Sequence, residues 1–312
     1  MILDPSLWGS YAGTFADWEG EGVTEPYYKT PDGILRVFPR RTSMTPDDDM
    51  AFVGPPPMIR PDAIEIHVSV AFSWDVAYAY ELAETWSQYY PVVKVGGPAI
   101  DGEGDEFVPG RYLREGVTIT SRGCVRHCPW CIVNDRIRLL PIVPGWIIQD
   151  NNLLATGPAH LHAVFDMLRQ EEKAISFPGG LDARLLRPWM AEELRQLRIK
   201  QLFLAADSDA ALPDLRRALD LLTFLPRDKK RCYVLWGFDN EPIEVGETRC
   251  RSVWDAGGLP FVQLYQPIGG RVDYPASLRA RARLWQRPAL TKAIMGERPA
   301  VALEYPPQGT LL

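Results

Sequence analysis

Three of the five cysteines, Cys124, Cys128 and Cys131, fall within eight residues at the spacing Cys-x3-Cys-x2-Cys. Thiols so close on one short segment make a poor disulfide framework and a good ligand set. With an odd cysteine total, they point to a reducing, cytoplasmic setting. On one tight loop, three thiolates can hold three irons of a cubane cluster and leave the fourth iron without a protein ligand. An open metal position is what chemistry requires, whereas a site closed by four protein ligands is usually structural. Two other readings use the same residues. In one, His127 or a distant cysteine completes a zinc site. In the other, the three cysteines are buried and hold nothing. Cys232 and Cys250 are too few for a second four-cysteine cluster, so one cluster is expected.

The cysteine segment follows a candidate strand, Val117 to Ser121, and from Gly116 onward the chain repeats strand, loop and helix. Further candidate strands are Trp146 to Gln149, Ala174 to Phe177, Gln201 to Ala205, Arg231 to Leu235 and Phe261 to Leu264. Helical stretches between them are Pro158 to Glu172, Arg187 to Leu197, Leu212 to Phe224 and Glu241 to Ala256. Six strands with intervening helices fit a parallel barrel, closed or partial.

In such barrels ligands sit on the loops after the strands, so those loops nominate site residues. After the second strand, Asp150, Asn151 and Asn152 offer hydrogen-bond acceptors to a ligand, or cap the following segment. After the third, Gly179 and Gly180 permit close backbone approach. Arg184 can fork onto a ligand carboxylate, or pair with Asp182 at the surface. After the fourth, Asp207, Ser208 and Asp209 present oxygens to hydroxyl groups, with a capping role as the alternative for Asp209. Trp236 to Asp239 after the fifth strand, and Tyr265 and Gln266 after the sixth, are placed to line a ligand, although aromatics are more often core. His67, His160 and His162 lack metal-ligand spacing and are read as structural.

Ahead of the barrel, the first sixty residues are rich in Gly, Pro, Asp and aromatics and are expected to form turns and irregular segments. Ala63 to Val70 reads as a strand, Trp74 to Tyr90 as a helix and Pro91 to Val95 as a second strand, together one βαβ unit. The expected fold is therefore α/β. An irregular lead-in and a small Rossmann-like domain occupy residues 1–112, and a partial (β/α)6 TIM-like barrel occupies 113–272. A helical extension (Leu278 to Trp285) and a Pro-containing tail occupy 273–312.

With Trp130 just before the last cysteine, the segment Ser121 to Cys131 resembles the radical S-adenosylmethionine (SAM) superfamily. Its signature is Cys-x3-Cys-x2-Cys with an aromatic residue at that place. The resemblance covers Gly116 to about Gly270. It implies one [4Fe-4S] cluster on Cys124, Cys128 and Cys131 at the C-terminal rim of the barrel. SAM would chelate the unique iron through its amino and carboxylate groups. Reductive cleavage would give a 5′-deoxyadenosyl radical that abstracts a substrate hydrogen. Trp130, Asp150, Asn151, Asn152, Arg184, Asp207 and Gln266 become the candidate SAM-binding residues. The superfamily's Gly-Gly-Glu-type segment is lacking, and Asp150 to Asn152 stands in its place. The reaction implies an electron donor such as flavodoxin or ferredoxin.

The N-terminal domain resembles the cobalamin-binding domains of some superfamily members, but lacks their Asp-x-His-x-x-Gly motif. A degenerate domain without cobalamin is expected. Cobalamin bound without a histidine ligand would leave no mark in the sequence, so a cobalamin-dependent methyltransferase stays as an alternative. A zinc-stabilised, non-enzymatic binding protein is the alternative from another class.

Composition sets the outer limits. The chain has 312 residues, 46% hydrophobic and 24% charged, which excludes disordered and fibrous classes. Its apolar stretches are too short and broken for a membrane span of about 20 residues. Met1 to Ser10 lacks the pattern of a secretory signal. A net charge of −6 disfavours long nucleic acid and leaves a small molecule, nucleoside or peptide as substrate.

Overall fold

The computed structural model describes residues 33–100, 107–133 and 136–296. The chain is mixed α/β, and its two larger sheets are parallel throughout. The first sheet comprises β1 (Ile34–Phe38), β2 (Ala51–Val53), β3 (Glu65–Ser69) and β4 (Val93–Gly96), with α1 (Val76–Ser87) linking the last two. Its strand order is β2-β1-β3-β4.

Alternation sets the two faces of this sheet. Leu35, Val37, Ile66 and Val68 pack in one cluster with Ala79, Leu82 and Trp86 of α1. On the opposite face His67 hydrogen-bonds Glu65 at 2.9 Å and Tyr112 at 2.6 Å, which draws the segment around residue 112 across the sheet. Arg36, wholly buried in β1, donates to the carbonyls of Met50 (3.2 Å), Gly110 (3.3 Å) and Arg111 (3.0 Å), and to the Asp48 carboxylate.

β1 and β2 correct the expectation of an irregular first sixty residues, insofar as those residues are described. A charged residue in the middle of β1 hides an inner strand, because Arg36 finds its partners in carbonyls that lie far along the chain.

The second sheet contains β5 (Val117–Thr118). The chain then leaves it through a hairpin of β6 (Ser121–Arg122) and β7 (Arg138–Leu139), and returns as β8 (Ile147–Ile148). There follow α2 (Pro158–Arg169), β9 (Ile175–Phe177), α3 (Pro188–Arg195), β10 (Ile199–Ala205), α4 (Leu212–Leu221), β11 (Lys230–Trp236), α5 (Ile243–Asp255) and β12 (Leu259–Leu264). The order β12-β11-β10-β9-β8-β5 places each strand beside its predecessor in the chain.

Leu202, Leu204, Val234 and Val262 form the main core with Leu161, Phe165, Leu215 and Val253 of the helices. Alternation turns Phe203, Tyr233 and Phe261 to the other face. There the rings of Phe203 and Tyr233 stack at 4.5 Å, and Phe261 meets Tyr233 edge-on at 5.8 Å.

The expected strand Val117 to Ser121 is split in two. Only Val117 and Thr118 pair in the sheet, while Ser121 and Arg122 turn out to pair antiparallel with Leu139 and Arg138. Beyond β12, α6 (Ala276–Gln286) takes the place of the expected helix, and α7 (Pro288–Ile294) begins on a proline inside the expected tail. Proline suits the first helical position, where its missing N–H costs nothing. The rest of that tail, 297–312, and the lead-in to residue 32 lie outside the described residues. Among the described residues no helix is long and apolar enough to cross a membrane.

Candidate functional site

The loops after β5 and β8 lock together residue by residue. Asp150, almost fully buried, accepts from Thr120 N (3.1 Å), Thr120 Oγ1 (2.8 Å) and Ser121 Oγ (2.5 Å). Asn151 Oδ1 accepts from Gly123 N at 3.0 Å, and Asn152 Nδ2 donates to Cys124 Sγ at 3.3 Å. Three successive side chains are thus spent on the segment 120–124 that delivers the first cysteine. Gly123 has φ +90°, and a Cβ there would stand 2.1 Å from the Arg136 carbonyl oxygen, so only glycine lets the loop cross the hairpin. Gly179 allows an equally close pass, since its Cβ would lie 2.4 Å from the Asp150 carbonyl oxygen.

None of the three cysteines of the segment is in a disulfide, and all are of intermediate exposure. Cys124 Sγ also receives the backbone N–H of Arg126 at 3.4 Å, and Cys131 N closes a turn on Cys128 O at 3.0 Å. Burial pushes the Cys128 thiol up, Arg126 opposes this, and Asp207, Cys131 and Cys124 add to it. Trp130 meets Phe238 edge-on at 5.3 Å, and Phe238 meets Tyr265 edge-on at 5.0 Å. This aromatic row runs from the cysteine loop across the ends of β11 and β12.

Several of the nominated residues are used by the protein itself. Asp150 and Asn151 hold the cysteine loop, so their oxygens are already engaged. Arg184 spends its fork on Asp182, with Nε–Oδ1 at 3.1 Å and Nη2–Oδ2 at 2.8 Å, which is the ion-pair alternative. Burial pushes the Asp182 carboxyl up, but Arg184 outweighs it and holds the group below the usual carboxylate range. Gln266 closes its own loop by accepting from Val272 N at 2.7 Å and donating to Val272 O at 3.4 Å.

Two nominated residues keep an unused acceptor. Asn152 Oδ1 and Asp207 Oδ1 are both buried without a hydrogen-bond partner. Burial pushes the Asp207 carboxyl up to about 6, against the pull of Arg126 and Arg249.

Three residues of the site were not nominated as ligands from the sequence, where His160 is read as structural and Asp182 only as a partner for Arg184. His160 Nε2 lies 3.1 Å from Thr120 Oγ1, beside the Asp150 network, and burial lowers its pKa. Asp182 ties Arg184 to Asn152, whose Nδ2 it accepts at 3.2 Å. Arg126 acts electrostatically on Cys128, Asp182 and Asp207. Only Arg126 carried a usable signal, as a cation inside the cysteine motif.

Among the described residues no three His, Cys, Asp or Glu side chains are gathered as a ready site for one metal ion. A cubane cluster makes a different demand, because each cysteine takes a separate iron. The donor set fits that demand: three soft sulfurs outside any disulfide on one loop, and two N–H groups directed at one of them. No protein-family model matches the chain, and no curated protein matches it. The chemistry of the site therefore rests on its own residues. It offers sulfur ligands to a metal and unfilled acceptors to a ligand that brings N–H or O–H donors.

Proposed function

We propose that this chain is a radical SAM enzyme holding one [4Fe-4S] cluster on Cys124, Cys128 and Cys131. The supporting observation is that three cysteines outside any disulfide share one loop, and that the Asn152 carboxamide is fixed against the sulfur of the first of them while its oxygen stays unfilled. In this reading the six-stranded sheet, with strands in chain order, is a partial (β/α)6 barrel and the cysteine loop sits at its C-terminal rim. The bound cluster would supply the electron for reductive cleavage of SAM, and so initiate hydrogen abstraction from a substrate.

The chain's own residues do the rest. Asp150 and Asn151 fix the segment that delivers Cys124, so that sulfur is preorganised. Trp130, Phe238 and Tyr265 form an edge-on aromatic row beside the cysteine loop. Phe203, Tyr233 and Phe261 fill the inner face of the sheet below it. Asp207 Oδ1 and Asn152 Oδ1 accept from hydroxyl or ammonium groups of SAM or substrate. The substrate is a small molecule, nucleoside or peptide, and a one-electron donor of the flavodoxin or ferredoxin kind completes the cycle. We assign no cobalamin to the first sheet. The Arg40–Asp75 ion pair, Nε–Oδ2 at 2.6 Å, spans the region just beyond β1 and β3, where the strand order reverses.

The test is anaerobic reconstitution with iron and sulfide, then dithionite and SAM, with 5′-deoxyadenosine measured by liquid chromatography. Wild-type protein should form it, and the Cys124/Cys128/Cys131 triple alanine variant should not. A colourless protein with stoichiometric zinc would overturn the reading.

A further inference from the structure

Asn152 is enclosed, and both hydrogens of its carboxamide are committed. Nδ2 donates to Cys124 Sγ at 3.3 Å and to Asp182 Oδ2 at 3.2 Å. Asp182 is fixed in turn by the fork of Arg184. The carboxamide therefore has one orientation, since a flip would set its oxygen against both a carboxylate and a sulfur. The relay Arg184–Asp182–Asn152 ends on the sulfur of the first cysteine and leaves that sulfur facing a held donor.

Hydrogen bonds to the cysteine sulfurs are among the levers that set an iron–sulfur potential. A donor on sulfur stabilises negative charge there, and that charge grows when a cluster takes up an electron. We infer that Asn152 is a positioning residue that raises the reduction potential of the cluster by donating Nδ2–H to Cys124 Sγ. The inference rests on the function proposed above. An aspartate at 152 could not serve, since it would bring a second anion against Asp182 and the sulfur. A leucine would keep the branched shape and lose both donors.

The experiment is a potentiometric titration without SAM, followed by electron paramagnetic resonance of the reduced cluster, on reconstituted wild-type, Asn152→Leu, Asn152→Ser and Asn152→Gln proteins. At a fixed poise near the wild-type midpoint, the ratio of reduced to oxidised cluster should fall about tenfold in the Leu and Ser variants. For one electron that corresponds to about 59 mV. The Gln variant, which keeps a carboxamide, should recover toward wild type. The Ser variant keeps the test open where the bulkier Leu prevents iron uptake. Leu or Ser variants with full iron and a wild-type midpoint overturn the inference while the enzyme reading stands. Wild-type protein that takes up no iron–sulfur cluster overturns the enzyme reading, and the inference with it.

Discussion

Asp207 lies just past the end of β10 with Oδ1 enclosed and unpartnered, and burial moves its pKa from an ordinary 3.8 to about 6. At about 1.4 kcal/mol per pKa unit, ionising this carboxyl costs the folded protein about 3 kcal/mol relative to the unfolded chain. The sign follows from linkage. The folded pKa is the higher one, so the folded state binds the proton more tightly. The stability Asp207 contributes is present below its unfolded pKa of 3.8 and is lost as pH rises through about 6. Asp207→Asn keeps the shape and fixes the neutral state. Measured on iron-free protein, its gain over wild type should be absent at the acid end of that window. It should grow across the window and level off at about 3 kcal/mol near pH 8. In a thermal melt that is about 6–12 °C, at about 2–4 °C per kcal/mol for a domain of this size. Urea denaturation followed by tryptophan fluorescence, repeated across the pH range, reads the free energy directly. A gain that does not vary with pH, or a loss at pH 8, would refute the reasoning. It would mean that Arg126 and Arg249 hold the carboxylate as a stabilising ion pair. The expected result makes Asp207 a cost that a ligand hydroxyl or ammonium can relieve.

Three further outcomes are expected. Asp150→Ala strands the buried N–H and hydroxyl of Thr120 and the hydroxyl of Ser121; it should destabilise by about 3 kcal/mol in urea titrations and lower iron uptake per chain. Gly123→Ala meets the Arg136 carbonyl oxygen at 2.1 Å from a positive-φ position, and should lose iron binding together with several degrees of melting temperature. Arg249, only 1% exposed, is held by Glu241 at 2.8 and 2.6 Å and by the Leu235 carbonyl at 2.9 Å. Arg249→Met should cost about 1–3 kcal/mol by calorimetry, because it leaves the Leu235 carbonyl and the half-buried Glu241 without their donor, and a stabilised variant would count against this.

The legible elements were those whose burial is written locally. β10, β11 and β12 read as apolar runs, and α2 to α5 read from helical spacing. β1 was illegible because its central residue is an arginine satisfied by carbonyls 74 and 75 residues further on. The hairpin after β5 was hidden because Thr120 and Ser121 continue a strand pattern, while their side chains belong to Asp150.

In the site, the cysteine spacing was legible and named the donor atoms. The loops after the strands named Asp150, Asn151 and Asn152, but not their partners, since spacing along the chain cannot say whether an oxygen is spent internally. Those partners lie 28 to 30 residues back and become neighbours only because β5 and β8 pair. His160 was passed over for the same reason, as Thr120 lies 40 residues from it in sequence.

Arg36 also bears on the order in which the chain can be finished. All four strands of the first sheet have been synthesised once Gly96 is made, yet the buried guanidinium in β1 still lacks two of its acceptors. Those arrive only with Gly110 and Arg111, and the Tyr112 hydroxyl that meets His67 arrives one residue later. A fragment ending at Pro98 would keep Asp48 and Met50 as partners of this guanidinium but lack the other two acceptors, which costs about 1–3 kcal/mol, and it should be less stable. One ending just beyond Tyr112 carries its own closure. The first sheet is therefore completed by residues that no strand contains.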